Sequence, residues 1–514
     1  MPHTRFEERL VAQVNRLENP LNWVILFMAH IYHRFNMETL DWIAHHSNLK
    51  YTQDIDYPAL IKNLPGLSFV RQSGSGRDFV LHDEMRRLVT LHCWDVQDAN
   101  QHIRRELSRC IVKYCEQQMG QRLGEQEQQL YSIMKLYHLL FLNLEDGLNY
   151  FEAESRRAVN AWRSAFARSL LQEVRLFSSE LSQEQQYMLI FAGARLLRGE
   201  EDTPSALQEH ERLQREASAE WYSRHAVEIL IEKGRCYLLV SQLREAGDCF
   251  SQALALGRAR GDVARSAYLL NMLGFIHRRR GELDKALEFY EECVLVQKAT
   301  GQEVAYADTL NNISNVYRLK GRIEEALRIC KISLSQRRRL VQEGKTGERS
   351  IALSLNTLGL IYLDSGNYTL AEQSLFEAFD IYSRYNDKRS IAMFYSRLGR
   401  VQMARGDLAR AGELFEKARE ASEDINPEAL VASLNRQGRV YLLQNQWETA
   451  VPLFQRAIAV ADQIHDSYQR TENLIYYAVA LERLGKSEET QELWQQVYDL
   501  SSQENYLLLR ARAE

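Results

Sequence analysis

Residues 271–293 read NMLGFIHRRRGELDKALEFYEEC. A small residue, Gly274, is followed twelve positions on by Ala286 and sixteen on by Tyr290, with Gly281 between them. The pattern recurs along the chain. Its small residue is Gly234, Gly274, Ser314, Gly359, Gly399, Gly438 and Ala478, at spacings of 40, 40, 45, 40, 39 and 40 residues. The second position holds Ala246, Ala286, Ala326, Ala371, Ala411, Ala450 and Thr490. The third holds Phe250, Tyr290, Cys330, Leu375, Phe415, Phe454 and Trp494.

Each copy reads as helix–turn–helix, and the turn usually carries glycine (Gly281, Gly321, Gly366, Gly406, Gly485). Small residues let two helices approach closely. The turn glycine closes the first helix in a left-handed cap, and the large residue is expected to fill the gap to the next hairpin. One such unit cannot bury its apolar face alone, so neighbours stack into a solenoid.

This skeleton of small residue, turn glycine, alanine and large residue resembles the tetratricopeptide repeat (TPR). The resemblance covers seven units over roughly residues 225–505. The period near 40 exceeds the standard of about 34, which implies helices about one turn longer. The fold it implies is all-α, a right-handed TPR superhelix. Upstream the register fades. Ala194 lies 40 residues before Gly234, Ala206 lies 12 after Ala194, and LLFLNLEDGLNYFEAESRRAV (139–159) keeps helical spacing. The expected organisation is a distinct N-terminal domain over 1–95, degenerate TPR-like hairpins over 96–224, and seven TPR units over 225–514.

Residues 1–95 do not repeat. LNWVILFMAHIYHRF and METLDWIAHHS have helical spacing, and YPALIKNLPGL suggests a third helix. SFVRQ and RDFVL flank a Gly/Ser turn as two short strands, followed by a helix from HDEMRRLV. Three helices, a hairpin and a helix make a winged-helix-like module.

The stretch FVLHDEMRRLV (79–89) is similar to the motif that ends the winged-helix domain of STAND (NB-ARC-type) signalling ATPases. There a histidine at a strand-to-helix junction contacts the β-phosphate of ADP. By that resemblance His82 is the phosphate contact and Asp83 the helix cap that orients it. An imidazole beside a helix N-terminus suits an anion. TPR arrays are a common sensor in that family.

Such an ATPase needs GxxxxGK[ST] between a strand and a helix. RLVQEGKT (339–346) and ALERLGKS (480–487) each lack the first glycine and follow helices within the repeats. LIYLD (360–364) reads as the end of a repeat's first helix. His82 and Asp83 are therefore conditional contacts, active only with an ATPase core from upstream or from another chain. The alternative role for the pair is a packed histidine beside an Asp N-cap.

In the TPR family, positions three before and one or four after the small residue face the inner groove. Three before, the chain has Asn271, Asn311, Asn356 and Asn435. One after, it has Arg235, Asn315, Arg400 and Arg439, and four after, Arg278 and Arg318. An amide ladder pairs with a peptide backbone and arginines engage carboxylates. The competing reading is that the asparagines bond between adjacent repeats and brace the solenoid.

Composition excludes other classes. The 514 residues carry a net charge of -5, which gives no overall attraction to nucleic acid or an anionic membrane. The expected third helix has one lysine and the wing RQSGSGR two arginines, too few for DNA binding. A TPR-gated DNA-binding regulator is the alternative function. His30/His33 and His45/His46 lack the further ligands of a zinc site, so no metal or cofactor is expected. No nucleophile–base constellation stands out, so the chain is read as non-catalytic. Seven scattered cysteines, an N-terminus without an apolar signal core, and the longest early apolar run of only ten residues (23–32) point to a cytoplasmic protein with reduced thiols. The expected function is a sensor or adaptor that holds a protein or extended peptide in the groove.

Overall fold

The computed structural model describes residues 12, 14, 21–49, 58, 59, 62, 64–67, 69–72, 78–385, 387–423, 427–464 and 466–503. The chain divides into two compact units, Met1–Glu209 and His210–Glu514.

In the first unit, helices α1 (Leu21–His30) and α2 (Met37–His46) precede a hairpin of β1 (Val70–Gln72) and β2 (Phe79–Leu81). Asn36 starts α2 by accepting from Thr39 N at 2.9 Å. The strands pair antiparallel, with Val70 opposite Leu81 and Gln72 opposite Phe79. Helix α3 (Asp83–Val89) follows. Most of the expected third helix and the tip of the expected wing lie outside the described residues. Six helices follow: α4 (His102–Met119), α5 (Glu125–Leu142), α6 (Leu144–Asn160), α7 (Ser164–Arg175), α8 (Gln183–Gly199) and α9 (Thr203–Glu216).

The apolar core that begins in α1 runs without a break through Trp94 into Ile103, Leu107 and Tyr114 of α4 and Met134 of α5. At its centre sits a buried polar chain. His30 Nε2 lies 2.8 Å from Ser108 Oγ, and that hydroxyl lies 3.0 Å from His138 Nδ1. Burial, and secondarily the Arg104 charge, holds the His30 imidazole at about 3 instead of 6.5. Burial also pushes His138 well down.

Among the described residues of the second unit, fourteen helices pair into seven hairpins. The first helices are α10 (Ala219–Leu239), α12 (Val263–Arg280), α14 (Glu303–Leu319), α16 (Arg349–Asp364), α18 (Lys388–Arg405), α20 (Pro427–Leu443) and α22 (Ser467–Arg483). The second helices are α11 (Leu243–Ala259), α13 (Leu283–Ala299), α15 (Ile323–Gln342), α17 (Tyr368–Arg384), α19 (Leu408–Glu420), α21 (Trp447–Gln463) and α23 (Ser487–Gln503). At 16–21 residues the first helices are long for their motif, as the 40-residue period implies.

The anchor works inside its own hairpin. A Cβ on Gly399 would lie 2.7 Å from Phe415 Cε1, and one on Gly274 2.6 Å from Tyr290 Cε1. The large residue therefore seats on the small residue of its own unit, where the sequence had suggested the gap to the next hairpin. In the third unit the volumes trade: buried Ser314 faces buried Cys330. The turns close as expected, with Gly281 at φ 84° and Gly406 at φ 87°. The first and sixth units manage the same turn without glycine, placing Ser241 at φ 55° and Asn445 at φ 59°.

The first and seventh units also touch. Ser241 Oγ donates to Asp466 Oδ1 at 3.1 Å, and the Arg279 guanidinium lies 5.0 Å over the Tyr468 ring. Leu474, Ile475 and Val497 share a core cluster with Leu243, Phe250 and Leu273. Seven repeats thus bring the array round far enough for its ends to meet.

Two predictions follow from these contacts. Gly399→Ala drives a methyl into the Phe415 ring and should cost about 1–3 kcal/mol in urea unfolding, with Phe415→Leu in the same chain recovering much of it; an additive double mutant contradicts the contact. The second concerns pH. His30 binds a proton more weakly folded than unfolded, so its contribution is complete above pH 6.5 and is lost as pH falls toward 3. At pH 5 that loss is on the order of 2 kcal/mol. Urea titrations at pH 7 and pH 5 should show it, and His30→Gln should reduce the difference, the remainder coming from His138; an unchanged pH slope in the variant contradicts the assignment.

Candidate binding groove on the first helices

Successive first helices pack on one another, α14 on α16, α18 on α20 and α20 on α22, so their free faces form one continuous surface. The residues expected on that surface fall into two groups.

Some are spent within the fold. Asn356 is buried and its Nδ2 donates to Tyr382 Oη at 2.9 Å. Asn435 is buried and donates to Asn473 Oδ1 of the next unit at 3.1 Å. Asn271 donates to Thr309 Oγ1 of the next unit at 2.8 Å and accepts from Asn312 at 3.4 Å. Asn315 Nδ2 donates to Asn311 O at 3.2 Å and Thr357 Oγ1 at 3.3 Å. Arg235 donates to Tyr268 Oη at 2.8 Å and Glu232 at 2.9 Å. An amide that bridges two repeats cannot at the same time pair with a peptide backbone through the same atom.

Others keep unused polar atoms. Asn311 Oδ1, Arg278 Nε and Arg318 Nε are buried without a hydrogen-bond partner. Arg278 lies 5.2 Å over the Phe275 ring, and Arg318 reaches Asp364 at 2.5 Å. Arg439 lies 4.7 Å over the Tyr476 ring. Arg400 is only partly buried.

Two groove residues escaped the sequence reading. Arg397 and Arg436 sit two positions before the anchors Gly399 and Gly438. They line a cavity of about 500 Å³ between α18 and α20, together with Ser396, Arg400 and Gln469. Arg436 donates to Ser396 Oγ at 2.6 Å and Ala432 O at 3.2 Å. Burial, then the neighbouring arginines, lowers both guanidiniums to about 10. They remain cationic at neutral pH. The signal available in the sequence was arginine recurring at one register position in adjacent units.

The remaining candidates are placed as follows. His82 is the N-cap residue of α3, and its Nε2 accepts from Arg71 Nε at 3.1 Å. Asp83 is the first helical residue, and no side-chain cap bond forms there. The expected Asp83 cap is thus corrected: the chain enters the helix one residue earlier, and the carboxylate complements the helix dipole from the first turn. In both GK[ST] stretches the glycine is a turn residue after a helix, with Gly344 at φ 70° and Gly485 at φ 77°. Lys345 is paired with Glu303 at 2.5 Å and Lys486 with Glu489 at 3.6 Å. Asp364 of LIYLD ends α16. His33 lies 3.1 Å from Glu173, and His46 stacks on Trp42. All seven cysteines are buried and none is in a disulfide. Among the described residues no helix is long and apolar enough to cross a membrane.

A tetratricopeptide repeat profile matches residues 225–294, 262–339, 305–384 and 390–463. A search of curated proteins finds no match. Among solved structures, the chain is similar to a STAND protein with a TPR sensor, PH0952 from Pyrococcus horikoshii. The two share 14% identity and a TM-score of 0.52, over 98% of this chain and 67% of that one. A Rap protein complexed with Competence and Sporulation Factor aligns at 11% identity over 70% of this chain and 98% of that one, with a TM-score of 0.49. The apo quorum sensor NprR from B. thuringiensis aligns at 14% identity over 70% and 99%, with a TM-score of 0.46. At such identities the likeness is one of fold. Residues 225–463 carry tetratricopeptide repeats, stacked consecutively into a helical superhelix.

Proposed function

We propose that this chain is a non-catalytic sensor or adaptor whose first helices hold a protein or extended peptide. The observation that supports the reading is the set of buried polar atoms on the first helices that the fold leaves without a hydrogen bond: Asn311 Oδ1, Arg278 Nε, Arg318 Nε and Arg397 Nη1. A buried polar atom without a partner costs about 1–3 kcal/mol, and an occupant that satisfies it recovers that cost. The groove residues form two classes in this reading. Asn311, Arg278, Arg318, Arg400 and Arg439 face the partner. Asn271, Asn315, Asn356, Asn435 and Arg235 fix the surface from which they project.

In the same reading, residues 1–95 are a winged-helix-like module and the chain corresponds to the sensor portion of a STAND-type switch in signalling or defence. The order helix, helix, hairpin, helix supports it, as does the fold similarity to the P. horikoshii STAND protein. His82, with Arg71 at 3.1 Å, sets a cation beside an imidazole at a helix start, a pairing that suits a phosphate. These groups alone do not enclose a nucleotide, so the contact operates with an ATPase core supplied from elsewhere. Buried cysteines without a disulfide fit a reducing, cytoplasmic setting.

Panning a displayed random-peptide library against the protein tests the groove. The wild type should enrich a peptide family, and Asn311→Ala with Arg278→Gln should weaken the best peptide about tenfold at an unchanged melting temperature. Enriched peptides that bind the double variant as tightly as wild type would place recognition elsewhere.

A further inference from the structure

Between α18 and α20 the groove changes character. Arg318, Arg397, Arg400, Arg436 and Arg439 act on one another's charges, and Asp364 and Glu472 are the carboxylates that answer them. Five guanidiniums thus face two carboxylates, in a chain whose overall charge is negative. Arg318 takes Asp364. Among the described residues Arg397 forms no ion pair, and its Nη1 is buried without a hydrogen-bond partner. Arg436 spends one nitrogen on neutral acceptors, Ser396 Oγ and Ala432 O. Arg389, which also lines the cavity, is paired with Glu428 at 3.0 Å, which leaves Arg397, Arg400 and Arg436 as its other guanidiniums.

Clustering like charges in a recess opposes folding, since each guanidinium loses water and gains repulsive neighbours. The burial of Arg397 and the charges of Arg400 and Arg318 both weaken its hold on a proton. The Tyr382 hydroxyl offsets this in part, and its oxygen is already engaged by Asn356 at 2.9 Å. Such an arrangement is stable on binding when an anion supplies the missing charge, and arginine forks match oxyanions two bonds at a time. The cavity volume of about 500 Å³ admits a group larger than one carboxylate.

We propose that Arg397, Arg400 and Arg436 form an anion subsite of the groove that takes a multiply charged oxyanion, adjacent carboxylates or a phosphoryl group, carried by the bound partner. This rests on the groove reading above and adds the chemistry of the occupant at the fifth and sixth repeats.

Isothermal titration with three probes tests it: a hexaglutamate peptide, a hexaglutamine peptide and inorganic phosphate. Hexaglutamate should bind wild type, hexaglutamine should not, and Arg397→Gln with Arg436→Gln should weaken hexaglutamate about tenfold or more. The control pair Arg384→Gln and Arg410→Gln removes two exposed arginines elsewhere and should leave binding unchanged. Phosphate competing with hexaglutamate in wild type but not in the double variant assigns the site to free oxyanions as well as carboxylates. Equal loss in both pairs of variants, or binding of hexaglutamine, overturns the subsite. Arg397→Gln should melt at or above the wild-type temperature, because it relieves repulsion; a melt several degrees lower marks the arginine as a brace and also overturns the proposal. A library peptide released by Asn311→Ala with Arg278→Gln, yet held by the Arg397/Arg436 variant in an acidic form, sinks the subsite and leaves the groove reading standing. A peptide indifferent to both variants sinks both.

Discussion

A ring edge pressed against a residue with no side chain organises the second unit. Phe250, Tyr290, Phe415 and Phe454 each occupy the space where a Cβ on Gly234, Gly274, Gly399 or Gly438 would stand. That contact fixes how closely the two helices of a hairpin approach, and so the face each first helix turns inward. Because it is repeated with nearly constant spacing, each hairpin presents the same positions to the same side. The groove, its arginines and the meeting of the first and seventh units all follow from that repetition.

The inner face is chemically divided. From α12 to α16 its polar side chains mostly bond to each other across repeat boundaries, as Asn271 does with Thr309 and Asn315 with Thr357. From α18 to α20 it gathers more guanidiniums than carboxylates. The first region braces the solenoid while leaving Asn311 Oδ1 without a hydrogen bond; the second leaves Arg397 Nη1 without one. The contact of Ser241 and Arg279 with the turn at Asp466 and Tyr468 joins the ends across this surface. Behind it, buried Leu474, Ile475 and Val497 pack in one apolar cluster with Leu243, Phe250 and Leu273.

The repeat was legible in the sequence because each unit carries the same small residue, turn and large residue, and seven registers agree. The groove was legible only in part. Asn356 and Asn435 sit at the right register, but whether an amide faces solvent or Tyr382 and Asn473 depends on helix packing that periodicity does not encode. Arg397 and Arg436 were passed over because only three register positions per unit were read as inward, and theirs, two before the anchor, was not among them. Asp83 was placed one residue too early in its role, since an Asp before a helical run reads as a cap whether it is the cap or the first turn. The contact between Ser241 and Asp466 joins residues far apart in sequence and leaves no local trace.

The central claim is that the unused polar atoms of the first helices are there for an extended, partly anionic partner. A crystal structure of the protein with the best acidic peptide from a displayed library tests it most directly. The account predicts the peptide along the first helices, with its acidic groups against Arg397 and Arg436 and its backbone near Asn311. A peptide seated on the second helices, or one in the groove with its acidic groups away from those arginines, would contradict it.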